Sequence, residues 1–316
     1  MGSLISRYFE KMEKEIKTVE ISIPVKPLTK EELGLYKYDE KEKIWKKVLQ
    51  FSKKTSQKRN LKILTYNIWG ALKDIKYEEY AFDIRKNAVM KIIENSNADI
   101  VCLQEVNAHW LNFFRENEFI KKNYYSIESG TNRVTTKWGL STTIFSKIPL
   151  YNVMDYGLPS LQMDNVLICN FDINNKKYTI ATSQLHSSKE WTQFRILQLQ
   201  VIFDLLKSEE NVIFAGDFNF GDGQNWIEND YIDQSYTDVW KQLKPYDPGY
   251  TEDTYINIMR FNIKKKHKQE RFDKVLYKSS HLNPTSIELK GMERIKHSKL
   301  DTWPSDHWAV LSKFSL

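Results

Sequence analysis

The C-terminal stretch TWPSDHWAVLSKF places a carboxylate next to an imidazole, at Asp306 and His307. Trp303 and Trp308 flank the pair, and Pro304 restricts the backbone just before it. Aspartate can bind a hard cation, and histidine can hold a proton or stabilise a growing negative charge. The pair therefore suits hydrolysis. An Asp-His step between aromatic residues is also common in ordinary surface loops, so other residues must decide between the two interpretations.

Further polar residues stand at the ends of apolar runs. The runs LKILTYN, ADIVCLQE, YTIATSQLH and NVIFAGDFN finish on side chains that can bind a metal or move a proton: Asn67, Gln104, Glu105, His186, Asp217 and Asn219. An ionised carboxylate at the end of a buried strand is costly unless it is paired or binds a cation. If these ends converge, their carboxylates repel one another, and a hard divalent cation is the natural neutraliser.

Several of these residues also have a purely structural interpretation. Glu105 could cap a helix that starts near Asn107. Asn67 could be a turn residue before Gly70, and His186 could be a loop histidine with its hydrogen bonds satisfied. The strands that carry the residues must therefore bring them together for the hydrolytic interpretation to hold.

Short apolar runs rich in β-branched and aromatic residues predict strands from Leu61 onward. Besides the four runs above, they include GLSTTIFS, NVLICNFDI, RFDKVLY and HWAVLSKF. Two segments, AFDIRKNAVMKIIENS and WTQFRILQLQVIFDLLKS, repeat apolar residues at helical spacing. Many strands and few helices favour an α+β fold of two packed sheets with helices outside, over a doubly wound sheet.

Composition limits the classes of protein to which this chain can belong. A chain of 316 residues with 41% hydrophobic content can build a large core, which excludes collagen-like, coiled-coil and wholly disordered proteins. The net charge of +6 favours a polyanionic partner only weakly, because lysines are spread along the chain beside acidic residues. Cys102 and Cys169 lie in apolar runs and indicate buried free thiols in a reducing compartment.

The targeting signals point to the cell interior. No segment approaches the roughly 18 apolar residues of a membrane span, and the N-terminus lacks the apolar core of a secretory signal. We therefore expect an intracellular monomer in the nucleus, the cytoplasm or both. The stretch MGSLIS also matches the N-myristoylation pattern, with Gly2 and Ser6 in place.

Residues 1–60 differ in character from the rest and predict a basic, partly helical N-terminal extension. SRYFEKMEKEIKTVE has helical spacing, TKEE predicts a helix start, and EKEKIWKKVLQF is a basic stretch anchored by aromatic and aliphatic residues. The extension is either a partner-facing appendage or a segment packed on the side of the main domain. Residues 61–316 are predicted to form the catalytic domain.

Six stretches carry a family resemblance: LTYNIWG, DIVCLQEV, SQLHSS, VIFAGDFNF, RFDKVLY and PSDHWAVL. In this order they resemble the endonuclease/exonuclease/phosphatase superfamily of metal-dependent phosphodiesterases, over residues 61–316. The resemblance implies a four-layer α/β/β/α sandwich in which two packed mixed β-sheets are flanked by helices. It also implies Mg²⁺ as the cofactor, with Mn²⁺ as a substitute.

Within the superfamily, YTDVW, YTEDTYIN and SIELKGMERI resemble the branch that hydrolyses the bond between a protein tyrosine and a DNA 5′ end. This likeness implies an enzyme of DNA repair. Its implied partner is a nucleic acid with a 5′-linked protein or peptide and a single-stranded end, and the sequence leaves DNA and RNA both open.

The resemblance assigns a role to each site residue. The implied metal ligands are Glu105 and Asp306. The groups implied to act on the attacking water or on phosphate oxygens are Asp217, Asn219, His186 and His307. The implied supporting residues are Asn67, near the metal, and Asp273, behind His307. The predicted substrate contacts are Arg195, Trp191, Ser187, Tyr250 and Asn257.

Two departures from the branch concern the substrate. Gly221 stands where its familiar members carry an arginine that reaches the substrate, and Glu252 stands where they carry a base-stacking tryptophan. Arg195, Trp191 or Trp226 could compensate. The basic run NIKKKHKQER could also do so, although such a run is equally typical of a solvated loop.

Two other functions remain open. NIWG also resembles the neutral sphingomyelinases, lipid phosphodiesterases of the same fold. A catalytically inactive scaffold that keeps the fold for binding is the other alternative. Every expected catalytic position is filled, which disfavours the scaffold.

Overall fold

The computed structural model describes residues 26–49, 57–70, 82–127, 140–161, 164–296 and 301–316. The predicted helix in SRYFEKMEKEIKTVE and the myristoylation pattern at Gly2 lie outside these ranges. Within them, no helix is long and apolar enough to cross a membrane.

Strands dominate the described ranges. They are β1 (Thr29–Glu32), β2 (Tyr36–Asp39), β3 (Ile44–Lys47), β4 (Asn60–Asn67), β5 (Ile100–Val106), β6 (Tyr125–Ser126), β7 (Ser141–Ser146), β8 (Tyr151–Gly157), β9 (Asn165–Ile173), β10 (Lys176–Gln184), β11 (Val212–Asp217), β12 (Thr237–Asp238), β13 (Glu252–Asp253), β14 (Gln269–Glu270), β15 (Asp273–Lys278), β16 (Asn283–Lys290) and β17 (Ala309–Ser315). The α-helices are α1 (Phe82–Ser96), α2 (Ala108–Glu116), α3 (Glu118–Asn123), α4 (Thr192–Leu206), α5 (Val239–Leu243) and α6 (Met259–Lys264), and short 3₁₀ helices span Lys189–Trp191 and Ile227–Tyr231.

Two large sheets organise these strands. One has seven strands in the order β1-β8-β9-β10-β11-β15-β12, and the other has eight in the order β16-β17-β4-β5-β7-β6-β2-β3. Both sheets are mixed, because β10 pairs with β11 in parallel and β4 pairs with β5 in parallel, while the other pairs are antiparallel.

The central strands are buried on both faces, which explains their nearly continuous apolar runs. In β4, Ile63 belongs to the core between the two sheets, while Leu64 packs against helices outside. In β11, Ile213 belongs to the inner core and Phe214 to the outer cluster beneath α4. Successive side chains of a strand point to opposite faces, so each strand fills two layers of core.

Helices complete the outer layers. Helices α1, α2 and α3 cover the eight-stranded sheet, and α4 covers the seven-stranded sheet. The predicted four-layer α+β sandwich of two mixed sheets flanked by helices is therefore confirmed. The eight runs predicted as strands and the two predicted helices all form where the sequence pattern indicates.

The described part of the N-terminal extension joins the sheets. Strand β1 pairs with β8, and the β2–β3 hairpin pairs with β6, so the described part of the extension packs on the main domain. The predicted helix start at TKEE is wrong, because this stretch is β1. Its four side chains are exposed, so hydrogen bonding to the edge of β8 decides its conformation rather than packing.

Strands β13 and β14 form a small separate sheet with α6 between them. We call residues 252–270 the flap. It contains most of the basic run NIKKKHKQER, and Met259 anchors it on Trp69, Trp303 and Trp308. The flap therefore lies beside the loop that carries Asp306 and His307.

Candidate active site

The ends of four central strands meet at one edge of the sandwich. Asn67 at the end of β4 is in register with Gln104 of β5, and Gln184 at the end of β10 is in register with Asp217 of β11. Strand β11 packs on β4 and β5 across the inner core. The polar residues predicted at strand ends are therefore brought together rather than scattered over the surface.

Asn67 connects the two sheets. Its Nδ2 donates hydrogen bonds to Glu105 Oε1 at 3.1 Å and to Asp217 Oδ2 at 2.9 Å. Its Oδ1 accepts a hydrogen bond from the Trp69 backbone N–H at 2.9 Å. The turn interpretation and the site interpretation of Asn67 are thus both correct, since one side of the amide shapes the turn and the other fixes two carboxylates.

Glu105 sits at an irregularity in β5. The pairing of β5 with β7 shifts register between Leu103 and Val106, and Glu105 has a left-handed φ of 57°. A Cβ on Gly70 would lie 1.8 Å from the Glu105 carbonyl oxygen, so only glycine fits there. The alternative role of Glu105 as a helix cap is wrong, because the side chain of Asn107 caps α2.

Gln184 is a site residue that the sequence analysis missed. Its Nε2 donates to Glu105 Oε1 at 2.9 Å and lies 3.3 Å from Asp217 Oδ2. Together with Asn67 it places two amide groups on the same two carboxylates. The available signal was its position as the last residue of the YTIATSQ strand, which matches the position of Asn67 in LKILTYN.

Asp217 is almost fully buried, and burial raises the pKa of its carboxyl to about 7 against the lowering effect of nearby His307. Asn67 holds Oδ2, and the Asn219 N–H donates to Oδ1 at 2.9 Å. Asn219 adopts a left-handed φ of 52°, and its Nδ2 donates to the Leu185 carbonyl at 2.7 Å. The DFN turn thus fixes the orientation of both side chains.

His307 and Asp273 form a buried ion pair. His307 Nδ1 lies 2.7 Å from Asp273 Oδ2, and the Asp273 backbone N–H donates to Thr251 Oγ1 at 3.1 Å. Burial opposes the charged imidazole, but Asp273 raises the pKa of His307 well above its usual value. His307 is therefore protonated at neutral pH, and Nε2 remains for a group in the cleft that His307 lines.

The Ser305–His307 turn is held from several directions. Ser305 Oγ donates to the Asn67 carbonyl at 2.7 Å, and Arg85 donates to the Pro304 carbonyl at 2.8 Å. Asn257 Nδ2 donates to the Ser305 carbonyl at 2.7 Å. Asn257 is buried and does not line the cleft, so its predicted contact with substrate is corrected to a role in positioning this turn. The sequence did not predict a role for Arg85, because the helix that contains it shows only the usual spacing of apolar residues.

His186 is buried, and the cleft wall at this point is formed by Ser187 and Ser188. Its ring stacks on Phe194, and Nδ1 lies 2.8 Å from the Ser187 carbonyl oxygen. Nε2 has no hydrogen-bond partner among the described residues, so His186 is not the fully satisfied loop histidine of the structural interpretation. Its contact with a phosphate oxygen stays a prediction.

Arg195 does not face the cleft. Its side chain is fully buried, and Nε donates to Glu228 Oε1 at 2.8 Å. The remaining guanidinium nitrogens donate to the carbonyl groups of His186, Ser188 and Lys189. The predicted substrate contact is therefore corrected: Arg195 supports the loop after β10 from behind, because every arm of its fork is occupied.

The other predicted substrate contacts differ in position. Ser187 lines the cleft. Trp191 is half-buried, with its ring centroid 5.8 Å from that of His186, and Tyr250 is half-buried; neither lines the cleft. Of these three residues, the structure brings only Ser187 to the cleft surface.

The donor set fits a divalent cation. Glu105 and Asp306 both line the cleft, and burial raises the pKa of Asp306. In the described ranges the side chain of Asp306 has one ion-pair contact, with 3.9 Å between Arg260 Nε and Asp306 Oδ2. A buried carboxylate without a hydrogen-bonded cation is costly, and a metal ion removes that cost.

A tighter group also exists. Ligand atoms of Asp217, Asp273 and His307 all lie within 4.8 Å of one another. His307 Nδ1 is already bound to Asp273, and Asp273 does not line the cleft. This group is thus suited to holding protons, and the cleft-facing pair Glu105 and Asp306 is better suited to a metal.

The cleft has a volume of about 530 Å³, and the flap supplies Glu252, Arg260, Lys264 and Lys268 to its lining. Glu252 forms an ion pair with Lys268 at 3.2 Å, so it occupies the position as a charged group. A Cβ on Gly221 would lie 1.9 Å from Glu270 Oε2, so a longer side chain there would require the Glu270 side chain to move. The basic run therefore reaches the cleft through Lys264 and Lys268. Gly221 and Glu252 still lack the arginine and the tryptophan that the branch carries at these positions.

Comparison with known proteins identifies relatives of this chain. The sequence pattern of the Endonuclease/Exonuclease/phosphatase family matches residues 64–307. Tyrosyl-DNA phosphodiesterase 2 of Rattus norvegicus is 29% identical over 238 residues, which cover 72% of this chain and 61% of the relative. The same enzyme of Xenopus laevis is 28% identical over 274 residues, covering 84% and 69%. The chain thus spans about three fifths of the length of the rat relative.

Solved structures share the fold. D. rerio TDP2 complexed with single strand DNA product has a TM-score of 0.68 at 23% identity and covers 82% of this chain and 100% of that chain. The human Nocturnin catalytic domain with bound sulfate has a TM-score of 0.60 at 19% identity, covering 82% and 94%. At such identities the likeness extends to the architecture alone.

Proposed function

Because the chain belongs to the Endonuclease/Exonuclease/phosphatase family, we propose that it is a Mg²⁺-dependent phosphodiesterase that hydrolyses the bond between a protein tyrosine and the 5′ phosphate of a nucleic acid. The observation that supports this most is the convergence of Asn67, Glu105 and Asp217 beside the His307–Asp273 pair. The relatives named tyrosyl-DNA phosphodiesterase 2 support the choice of bond.

Glu105 and Asp306 would hold the cation. When bound, a divalent ion supplies neutralisation of the anionic phosphate, which would otherwise repel the carboxylates of the cleft. Mn²⁺ has a similar preference for oxygen ligands and is expected to substitute. Asn67 keeps Glu105 in place through its hydrogen bond to Oε1.

Asp217 is the proposed base. Its carboxylate removes a proton from the attacking water, whose oxygen forms a bond to phosphorus while the bond from phosphorus to the tyrosyl oxygen breaks. A pKa of about 7 suits this step, because a base is most effective when its pKa lies near the working pH. Asn219, fixed by the same turn, is the proposed ligand of the water or of a phosphate oxygen.

Charge on the phosphate oxygens is met by His307. Asp273 keeps its imidazole protonated and oriented, so Nε2 can donate to a non-bridging oxygen as negative charge grows there. The tyrosine leaves as a phenolate, and because a phenol has a pKa of about 10 it needs little help from a general acid.

The proposal extends to partner and setting. A nucleic acid with a 5′-linked peptide and a single-stranded end is the proposed partner, and repair of such adducts in the nucleus or cytoplasm is the proposed role. A monomer is the proposed oligomeric state.

A parallel assay tests the function. Purified protein with Mg²⁺ is incubated with 5′-tyrosyl DNA, 5′-tyrosyl RNA, 3′-tyrosyl DNA and sphingomyelin. We expect release of tyrosine from the 5′-linked oligonucleotides only. Hydrolysis of sphingomyelin alone would instead support the lipid phosphodiesterase, and no hydrolysis of any substrate would support the inactive scaffold.

A further inference from the structure

Arg260 stands apart from the other arginines near the cleft. It lies on α6, lines the cleft and keeps 35% of its side chain exposed. Its Nε is 3.9 Å from Asp306 Oδ2, which is too far for a hydrogen bond. Among the described residues its side chain donates no hydrogen bond at all.

Neighbouring arginines are fully committed by contrast. Arg85 donates to the carbonyl groups of Ile68, Trp69 and Pro304. Arg271 forms paired hydrogen bonds with acidic side chains, as Arg195 does with Glu228. These guanidinium groups hold the fold together, whereas the donor fork of Arg260 is open towards the cleft.

Carboxylates surround this open fork. Asp306, Glu252, Glu105 and Asp217 all act on Arg260 electrostatically. Glu252 already has Lys268 as a partner at 3.2 Å. Neutralisation of Glu105 and Asp306 by a divalent cation would remove much of the remaining attraction and leave the guanidinium facing whatever anion enters the cleft.

We propose that Arg260 binds the non-bridging oxygens of the substrate phosphate next to the metal ligands. A guanidinium presents its N–H groups in a planar fork that matches two phosphate oxygens, which an ammonium group cannot do. Lys264 lies one helical turn further along α6 and also lines the cleft, so it extends the positive charge towards the next phosphate. Gly221 cannot supply this cation, because glycine has no side chain.

This inference rests on the proposed function but has its own test. The variants are Arg260→Ala and Arg260→Lys, with Lys265→Ala as the matched control, because Lys265 is an exposed residue of the same helix end that does not line the cleft. Arg260 makes no hydrogen bond within the described residues, so its substitution is expected to leave the melting temperature unchanged.

Two measurements are made on each variant. The first is kcat/KM on a 5′-tyrosyl oligonucleotide at saturating Mg²⁺, with and without added guanidinium. The second is binding of a 5′-phosphorylated and a 5′-hydroxyl oligonucleotide in the presence of Mg²⁺, followed by fluorescence anisotropy. The binding measurement needs no turnover, so it reports on Arg260 even if the tyrosyl substrate is not the natural one.

We expect Arg260→Ala to lower kcat/KM about 10- to 100-fold, as for the loss of a charged hydrogen bond. The preference for the 5′-phosphorylated oligonucleotide should disappear, guanidinium should restore part of the rate, and Arg260→Lys should recover less than the full rate. Lys265→Ala should match the wild type.

An unchanged kcat/KM together with tighter Mg²⁺ binding would overturn the proposal, since Arg260 would then be only a counter-ion of the carboxylates. A wild type that binds the 5′ phosphate through Arg260 but hydrolyses no tyrosyl substrate would leave this inference standing and remove the proposed function.

Discussion

Asp217 combines the two properties expected of a base, a raised pKa and a fixed orientation. Its substitution by asparagine keeps the shape and the hydrogen bonds to neighbouring amides but cannot accept a proton from water. We predict that Asp217→Asn lowers kcat by at least roughly 10²-fold with little change in KM. Steady-state kinetics on a 5′-tyrosyl oligonucleotide measure this. A defect chiefly in KM would show that Asp217 contacts the substrate or the metal instead.

The same carboxylate predicts a pH dependence. Burial raises the pKa of Asp217 to about 7, so the base form is lost as the pH falls through this value. We predict that kcat/KM declines about tenfold per pH unit below this region, since activity needs the deprotonated form. His307 stays protonated there, because its pKa is raised. A flat profile between pH 5 and 7 would contradict the role of Asp217.

Asp273 and His307 act on the same phosphate oxygen in the proposed mechanism. Asp273 lies behind the imidazole at 2.7 Å, so removing either residue should damage the same step. We predict that Asp273→Asn and His307→Ala each lower kcat strongly, and that the double variant is little worse than the worse single one. Fully multiplicative losses in the double-mutant kinetics would show that the two residues work independently.

At the scale of elements, about half of the site residues lie on loops and the others at strand ends. Buried arginines hold these loops in place through hydrogen bonds. Arg85 spans the turns after β4 and before β17, with hydrogen bonds to Ile68, Trp69 and Pro304. Arg195 of α4 holds the loop after β10 and pairs with Glu228. Both side chains are fully buried, so each loop is fastened to a helix rather than left to move freely.

The Arg195–Glu228 pair allows a test of this fastening. Arg195→Met leaves a buried carboxylate and several carbonyl groups without their partner, so we predict a loss of about 3–5 kcal/mol in the free energy of unfolding. Arg195→Met with Glu228→Met should recover part of that loss, because the uncompensated charge is gone. Lys207→Met is the control, since it removes only an exposed ion pair on the same helix. Denaturant unfolding measures all three, and a double variant no more stable than Arg195→Met would refute the charge argument.

At the scale of the whole molecule, the site exists only because two sheets face each other. Asn67 and Glu105 come from the eight-stranded sheet, and Asp217 and Gln184 come from the seven-stranded sheet. A cation held by Glu105 and Asp306, as proposed, would stabilise the folded chain, because the unfolded chain has no such site. Metal binding and folding would therefore be coupled.

We predict that Mg²⁺ raises the melting temperature of the wild type, and that EDTA abolishes activity until Mg²⁺ is restored. Glu105→Gln and Asp306→Asn should each weaken both effects, because each removes a charged oxygen ligand. Differential scanning calorimetry at several Mg²⁺ concentrations measures the shift. Full activity after exhaustive chelation would end the metal-dependent mechanism.

The sequence determined the local structure and much of the chemistry of this protein. Apolar runs marked the central strands, and four of these runs ended on polar residues, of which the structure brings Glu105, Asp217 and Asn219 to the cleft. This succeeds because strands buried on both faces must be apolar throughout, so a polar end is conspicuous. The family resemblance supplied the expected partner of His307, and the structure places Asp273 there.

Only the tertiary structure decided which polar side chains face the cleft. Arg195 and Asn257 were predicted to contact substrate, yet both are buried supports, whereas Gln184 and Arg260 face the cleft without having been predicted. Strand β1 likewise depends on the edge of β8, which no local pattern in TKEE reveals. The physical reason is the same in each case: a residue type fixes which bonds a side chain can make, but the packing of distant elements fixes which partners are within reach.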